Sequence, residues 1–217
     1  MSCGFKHERA LRKAGLQIIA GTDEVGRGPL AGPVVAAAVI LPENFRHKKL
    51  NDSKQLSEKL REEIFAELTS REDICWAVAS VDCEEIDRIN IHRASHEAMR
   101  RAVAALAIAP QHVLIDGRAV QPFPFRQTAI IRGDACSFSI AAASVIAKVT
   151  RDRLMREMDA LYPAYDFARH KGYSTPLHLE NLRTHGPCPI HRKSFLPVAQ
   201  QLAAAKNAAS LCDAALV

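Results

Sequence analysis

Hydrophobic and polar positions along the chain follow two different periods. Short apolar runs rich in β-branched residues are typical of buried strands, and longer stretches with an apolar position every three or four residues are typical of helices. This pattern predicts strands at 18–22, 34–41, 75–81, 112–115 and 128–131, and helices at 5–14, 57–70, 84–109 and 138–161. Strands that are grouped first and then alternate with helices predict an α/β domain with a mixed β-sheet, in which the first two strands pair through a wide loop.

Composition and charge narrow the class of protein. The 217 residues are 48% hydrophobic and 24% charged, as in an ordinary globular domain, and the net charge of +5 gives mild support to a polyanionic partner. Six cysteines without a C-x-x-C pair favour reduced thiols in the cytosol. The first fifteen residues lack the apolar region of a signal peptide, and the longest uncharged run, 28–42, contains prolines and is too short to span a bilayer. We therefore expect a cytoplasmic protein without a membrane partner.

Acidic residues follow three of the predicted strands: Asp23 with Glu24, then Asp116, then Asp134. Ligands of open α/β sheets gather at such strand ends, and several carboxylates together suit hard divalent cations that promote phosphoryl transfer. Each acid also has an ordinary structural interpretation. Asp134 is a possible helix N-cap, Asp116 a possible turn residue, and Asp23-Glu24 a possible solvated pair. Neighbours on a regular strand face opposite ways, so Asp23 and Glu24 reach one metal only if the strand ends or bulges there. Otherwise Glu24 would act by another route, such as its backbone carbonyl or a bound water.

Seven segments, in order along the chain, resemble the motifs of the bacterial ribonuclease HII family (type 2 ribonucleases H). They are Ile19–Pro33, Asn51–Lys54, Leu114–Gly117, Gly133-Asp134, Ala142–Asp152, His170–Tyr173 and His191–Phe195. The resemblance covers most of residues 18–198. Ser174 stands where many relatives have glycine, and neither 1–14 nor 200–217 matches the family pattern.

The resemblance implies an RNase H-like fold with a mixed sheet flanked by helices and a small C-terminal helical extension. It implies a catalytic domain at 18–200 that includes the C-terminal helices, between an N-terminal segment 1–17 and a tail 201–217. It also implies a monomeric endonuclease with Mn²⁺ or Mg²⁺ as cofactor, which cuts RNA–DNA hybrids and cuts duplex DNA on the 5′ side of an embedded ribonucleotide. The catalytic, metal-binding acids would be Asp23, Glu24, Asp116 and Asp134.

Further residues are candidates for binding the substrate. Glycines permit close backbone approach to a sugar, so Gly26-Arg27-Gly28 suits recognition of a 2′-hydroxyl. By the same resemblance Tyr173 would stack on the sugar beyond the ribonucleotide. Candidates for phosphate contacts are the cations Lys54, Lys148 and Arg151 and the hydroxyls of Ser53 and Ser144.

Other interpretations remain open from the sequence. Ribonuclease HIII or a resolvase would use similar acids on the same fold, and a non-catalytic duplex-binding module would use only the basic surface. A zinc site at His178, His185, Cys188 and His191 is disfavoured, because the spacing lacks the paired cysteines of structural zinc.

Overall fold

The computed structural model of the chain describes residues 3–214, and side chains through residue 207. The ends of the predicted N-terminal segment and tail, residues 1–2 and 215–217, lie outside the described residues. The strands are β1 (Ile19–Val25), β2 (Val34–Ile40), β3 (Cys75–Val81), β4 (His112–Asp116) and β5 (Gln127–Ile130). The helices are α1 (Lys6–Lys13), α2 (Glu58–Ser70), α3 (Cys83–Ile89), α4 (Ile91–Ala104), α5 (Phe138–Leu161), α6 (Phe167–His170), α7 (Pro176–His185) and α8 (Leu196–Ala214).

The five strands form one mixed sheet in the order β3-β2-β1-β4-β5. The pairs β1–β2 and β2–β3 are antiparallel, whereas β1–β4 and β4–β5 are parallel. The predicted α/β architecture and the antiparallel pairing of the first two strands are therefore confirmed. Because β1, β4 and β5 run in the same direction, their carboxyl ends meet at one edge of the sheet.

Both faces of the sheet are covered by helices. On β2, Ala37 and Val39 belong to the core beneath α5, and Ala36 and Ala38 to the core beneath α4. Gly21 shows how closely α5 packs, since a Cβ there would lie 2.2 Å from the backbone carbon of Ser139. Small residues at this contact bring the first turns of α5 against the central strand. Within residues 3–214, no helix combines the length and apolar character needed to cross a bilayer.

Two predicted elements differ from the structure by more than one residue at an end. The single helix expected at 84–109 is wrong: α3 and α4 are separated by Asn90, which has a φ of 68° and whose side chain accepts a hydrogen bond from the N–H of Arg93. A left-handed asparagine that also caps the next helix forces this break. Strand β1 continues to Val25, three residues beyond the predicted end, because Asp23 to Val25 keep their register with β2.

Helix α1 is held against the start of α5 by a buried carboxylate. Glu8 is fully buried, and its Oε1 accepts hydrogen bonds from the Ser137 hydroxyl at 2.7 Å and from the N–H of Ser139 at 3.0 Å. Ser137 is itself the N-cap of α5. Phe5 packs edge-on against Phe138 at a ring distance of 5.2 Å. The charge thus lies at the positive end of a 24-residue helix, where it is stabilising.

We expect Glu8→Ala to lower the free energy of unfolding by about 1–3 kcal/mol, because two buried donors lose their acceptor. Glu84→Ala is a matched control, since Glu84 is an exposed acid in the first turn of α3. The control should change stability by no more than about 0.5 kcal/mol. Urea denaturation with equal m-values measures both, and equal losses in the two variants would contradict this role of Glu8.

Candidate active site

Three carboxylates converge at the edge where the parallel strands end. Asp23 lies on β1, Asp116 is the last residue of β4, and Asp134 lies in the 3-10 turn Gly133–Ala135 after β5. Each offers a carboxylate oxygen, and these oxygens all lie within 4.8 Å of one another. Asp23 and Asp134 are only 6% and 5% exposed, and Asp116 is half-buried. We call these three residues the acid cluster.

Backbone contacts hold two members of the acid cluster in place. Oδ1 of Asp116 accepts hydrogen bonds from the N–H of Gly133 at 2.7 Å and from that of Asp134 at 3.3 Å. One carboxylate thus ties the end of β4 to the turn that carries the next acid. The alternative of Asp134 as a helix cap is wrong, since Ser137 caps α5 through a bond from the N–H of Ile140.

Glu24 lies on the other face of β1. Asp23 is in register with Ala37, on the side of α5, and Glu24 is in register with Ala36, on the side of α4. Glu24 forms an ion pair with Arg27 at 3.4 Å. It lines a cavity of about 430 Å³ together with His92, Asp116 and Arg118. Asp116 therefore borders both the acid cluster and the cavity of Glu24.

The acid cluster is electrostatically strained when no cation neutralises it. Burial, and then repulsion from Glu24 and Asp116, raise the pKa of Asp23 well above its ordinary range. Burial and the charge of Asp116 raise the pKa of Asp134 to about 6. A set of convergent oxygen ligands with this excess of negative charge fits a hard divalent cation.

Lys54 is the cation beside the acid cluster. Burial acts to lower the pKa of Lys54, but the charges of Asp23 and Asp134 outweigh it and raise the pKa. Asp52 lies two residues before Lys54, and its carboxylate accepts a hydrogen bond from the N–H of Lys54 at 2.9 Å. The charge of Asp52 also raises the pKa of Asp134. The sequence had indicated no role for Asp52, although it lies within the matched segment Asn51–Lys54.

The glycine loop after β1 approaches Tyr173. Gly26 has a φ of +95°, and a Cβ on it would lie 2.3 Å from Nε of Arg151. A Cβ on Gly28 would meet only the Tyr173 ring, at 3.8 Å, so this position is open. Tyr173 is 41% exposed and Arg27 also reaches solvent. Arg27, Gly28 and Tyr173 therefore share one accessible surface, whereas Gly26 is buried.

Two buried arginines hold that loop, and the sequence did not indicate their role. Arg192 is fully buried and donates to the carbonyl oxygens of Gly26 at 2.6 Å, Arg27 at 3.0 Å and Gly32 at 2.7 Å. Arg151 is equally buried and donates to the carbonyls of Pro33, Lys171 and Ala31. The expectation that Arg151 contacts phosphate is wrong, because its guanidinium is buried and donates to three backbone carbonyls away from solvent. A glycine- and proline-rich loop leaves carbonyls unpaired, and that was the available signal.

The remaining predicted substrate residues lie at different distances from the acids. The Ser144 hydroxyl donates to that of Ser53 at 2.8 Å, and both side chains are almost fully buried. The Ser144 hydroxyl also acts on Asp23, where it partly offsets the effect of burial that raises the pKa of that acid. Lys148, one turn later on α5, is paired with Asp152 at 2.7 Å. Ser144 thus adjoins the acid cluster, whereas Lys148 already has a partner.

Buried histidines support the Tyr173 loop rather than a metal. Nε2 of His191 and Nε2 of His178 lie 3.0 Å apart, so they share one proton, and Nδ1 of His178 lies 2.9 Å from the Tyr173 carbonyl oxygen. Burial lowers the pKa of both histidines to about 4, so both are neutral near pH 7. Of the residues whose side chains are described, only the acid cluster has its ligand atoms grouped as a metal requires.

Comparisons with known proteins agree with this geometry. Residues 20–198 match the family model described as Ribonuclease HII. A protein named Ribonuclease HII from Anaeromyxobacter sp. (strain Fw109-5) is 52% identical over 198 residues, which are 91% of this chain and 62% of that relative. The chain thus spans less than two thirds of that relative's length. The ribonuclease H2 structure from Pyrococcus horikoshii OT3 superposes with a TM-score of 0.68 at 28% identity, covering 84% of this chain and 96% of that one. The RNase HII of Archaeoglobus fulgidus, solved in a complex with PCNA, gives 0.70 at 28% identity, covering 82% and 95%.

Proposed function

This chain belongs to the ribonuclease HII family, and on that premise we propose that it is an endoribonuclease acting on RNA within duplexes. It cleaves the RNA strand of RNA–DNA hybrids and cuts duplex DNA on the 5′ side of an embedded ribonucleotide, leaving a 3′-hydroxyl and a 5′-phosphate. The observation that carries the proposal is the approach of three carboxylates within 4.8 Å at the end of the parallel strands. The cellular task would be removal of misincorporated ribonucleotides and primer remnants, in the cytoplasm and as a monomer.

The acid cluster is the site that we assign to the cofactor, Mn²⁺ or Mg²⁺. The oxygen ligands of the cofactor come from Asp23, Asp116 and Asp134. Glu24 lies on the opposite face of β1 and contributes its negative charge from the neighbouring cavity, which it lines together with Asp116. A pair of such cations held by these residues would supply activation of a water and stabilisation of the attacking and leaving oxygens of the phosphoryl displacement. The burial of Asp23 and Asp134 keeps competing water away from these ligands.

The chain's own residues then select and orient the substrate. The backbone of Gly26 to Gly28 reads the 2′-hydroxyl, because no side chain on Gly28 blocks its approach. Tyr173, next to Gly28, stacks on the neighbouring sugar. Lys54 holds the phosphate beside the acid cluster, where its positive charge offsets the carboxylates.

Three other residues that were predicted to contact the substrate support the site: Ser144, Ser53 and Lys148. Ser144 and Ser53, joined by a hydrogen bond, orient Asp23 and the loop that carries Lys54. Lys148 reaches a phosphate when it leaves its ion pair with Asp152. The Lys148 side chain is 17% exposed, so a phosphate can reach it, whereas that of Asp152 is only 6% exposed.

Cleavage of an end-labelled DNA duplex with one central ribonucleotide tests this proposal. We expect a single cut on the 5′ side of the ribonucleotide with Mn²⁺ or Mg²⁺, no cut in EDTA, and no cut in the all-DNA duplex. A protein that binds this duplex but leaves it intact with either metal would be a duplex-binding module instead. Cutting of the all-DNA duplex at similar rates would favour a resolvase-like nuclease.

A further inference from the structure

A row of free cations runs along the N-terminal helix. Lys6, Arg9 and Lys13 of α1 are all exposed and lie three and four residues apart, so they project from one side of the helix. Among the ion pairs of residues 3–207, none includes any of these three side chains. We call Lys6, Arg9 and Lys13 the α1 basic face.

The α1 basic face borders a groove on the side of the molecule near the acid cluster. The groove has a volume of about 900 Å³ and lies between α1 and the segment that joins β5 to α5. Its far wall includes Ile131, which is 70% exposed, and Cys136. Cys136 is two residues after Asp134, and the charges of Asp134 and Asp116 act on its thiol, so this wall of the groove lies near the acid cluster.

The α1 basic face is held rigidly with respect to the acids. Glu8, between the cations on the same helix, is bonded to Ser137 and Ser139 at the start of α5. Phe5 packs against Phe45 and Phe138. Cations on such a fixed helix lose little conformational freedom when they bind, apart from that of their own side chains. The match to the family model begins at residue 20, so α1 lies outside the matched segment.

We propose that the α1 basic face binds the phosphate backbone of one arm of the same duplex whose ribonucleotide lies at the acid cluster. This inference rests on the proposed function for the identity of the duplex. Lys6 and Lys13 are about 10 Å apart along the helix axis at ~1.5 Å per residue. That length equals about three phosphate steps of one strand at ~3.4 Å of duplex axis each. Three long cationic side chains along it can therefore each reach a separate phosphate.

The direct test compares the triple variant Lys6→Ala/Arg9→Ala/Lys13→Ala with a control of equal charge loss. The control carries Arg88→Ala, Arg183→Ala and Lys206→Ala, which are exposed cations on α3, α7 and α8. Each lost phosphate contact lowers the slope of log affinity against log salt by about 0.9. We therefore expect the slope to fall by about 2–3 in the triple variant, with a rise of about tenfold in KM near physiological salt. The control should keep a slope close to that of the wild type.

Shortening the duplex supplies a second readout that loss of stability would not mimic. One arm of the duplex is trimmed in steps, first on one side of the ribonucleotide and then on the other. Trimming the arm that contacts the α1 basic face should raise the KM of the wild type to that of the triple variant. The same trimming should leave the KM of the triple variant unchanged. Equal sensitivity of both proteins to trimming on both sides would overturn the inference.

Binding measured by fluorescence anisotropy separates this inference from the proposed function. If the wild type fails to cut, the nuclease proposal fails, but a smaller salt slope in the triple variant than in the control still supports the α1 basic face. If the wild type cuts and the three proteins share one salt slope, the nuclease proposal stands and the α1 basic face is not a binding surface.

Discussion

Asp134→Asn should abolish most cleavage while making the cation-free protein more stable at neutral pH. The loss of activity follows from the removal of one charged ligand from the acid cluster, and we expect it to reach at least about 10²–10³-fold. The gain in stability follows from the same geometry. Asp134 is 5% exposed and lies within 4.8 Å of two other carboxylates, so its charge is unfavourable without a cation.

The pKa of Asp134 determines at which pH values the Asp134→Asn substitution stabilises the folded protein. The pKa of Asp134 is raised from 3.8 to about 6 in the folded chain. The stabilising effect of its protonation is therefore complete below about pH 4 and is lost as the pH rises through about 6. Asparagine has no charge to lose, so the variant should exceed the wild type by on the order of 2 kcal/mol above pH 7. The two proteins should have nearly equal stability at pH 4.

Urea denaturation in EDTA at a series of pH values measures the difference, and the same proteins are then titrated with Mn²⁺. Cation binding to the folded state alone raises Tm. We expect a smaller rise in Asp134→Asn than in the wild type. Asp73→Asn is the control, because Asp73 is exposed and paired with Arg71 and its removal should bring no gain in stability. An Asp134→Asn protein that is less stable than the wild type at pH 7.5 would refute the electrostatic argument.

Arg192→Met should produce the largest loss of stability among single substitutions around the loop. Its guanidinium is fully buried and donates to the carbonyl oxygens of Gly26, Arg27 and Gly32 at 2.6–3.0 Å. Methionine fills part of the volume but leaves these acceptors unsatisfied in the interior. We expect a loss of about 3–5 kcal/mol, as for other buried polar networks from which one partner is removed.

Arg192→Lys tests positioning in a protein that retains the charge. A single ammonium cannot reproduce the planar fork that reaches three carbonyls, so the Gly26–Gly28 backbone should lose its fixed position. Discrimination between a ribonucleotide and a deoxynucleotide should fall more than kcat does. Arg183→Lys, on an exposed ion pair with Glu180, is the matched control. Unchanged stability together with unchanged discrimination in Arg192→Lys would show that the guanidinium does not position the loop.

Local patterns predicted much of the fold because they reflect local physics. The apolar run of β3 and the small-residue period of α5 gave the observed bounds, Cys75–Val81 and Phe138–Leu161. The break at Asn90 was not predicted, since a left-handed residue inside a helical period leaves that period almost intact. The strand-end pattern also predicted that Asp23, Asp116 and Asp134 would lie together, and strand alternation predicted the different direction of Glu24.

Interactions between distant parts of the chain could not be predicted from the same local patterns. Arg192 contacts carbonyls of residues 26–32, and nothing near position 192 indicates this pairing. Arg151 was assigned to phosphate because it shares a helix face with Lys148, but packing of α5 buries one side chain and leaves the other near solvent. The roles of the site residues themselves stay predictions, which the substitutions above test.

The pairing of β1 with β4 has a consequence for the chain during its synthesis. Ile19 pairs with His112, and the turn that carries Asp134 follows β5, which pairs with β4. Contacts so distant in sequence form late, because closing a long loop costs entropy before any contact repays it. A growing polypeptide that already exposes Asp23 and Glu24 therefore has only half of its ligands and no fixed site for a cation. Under the proposed function, a growing chain that still lacks β5 and the turn after it has no complete acid cluster and should not cut nucleic acids.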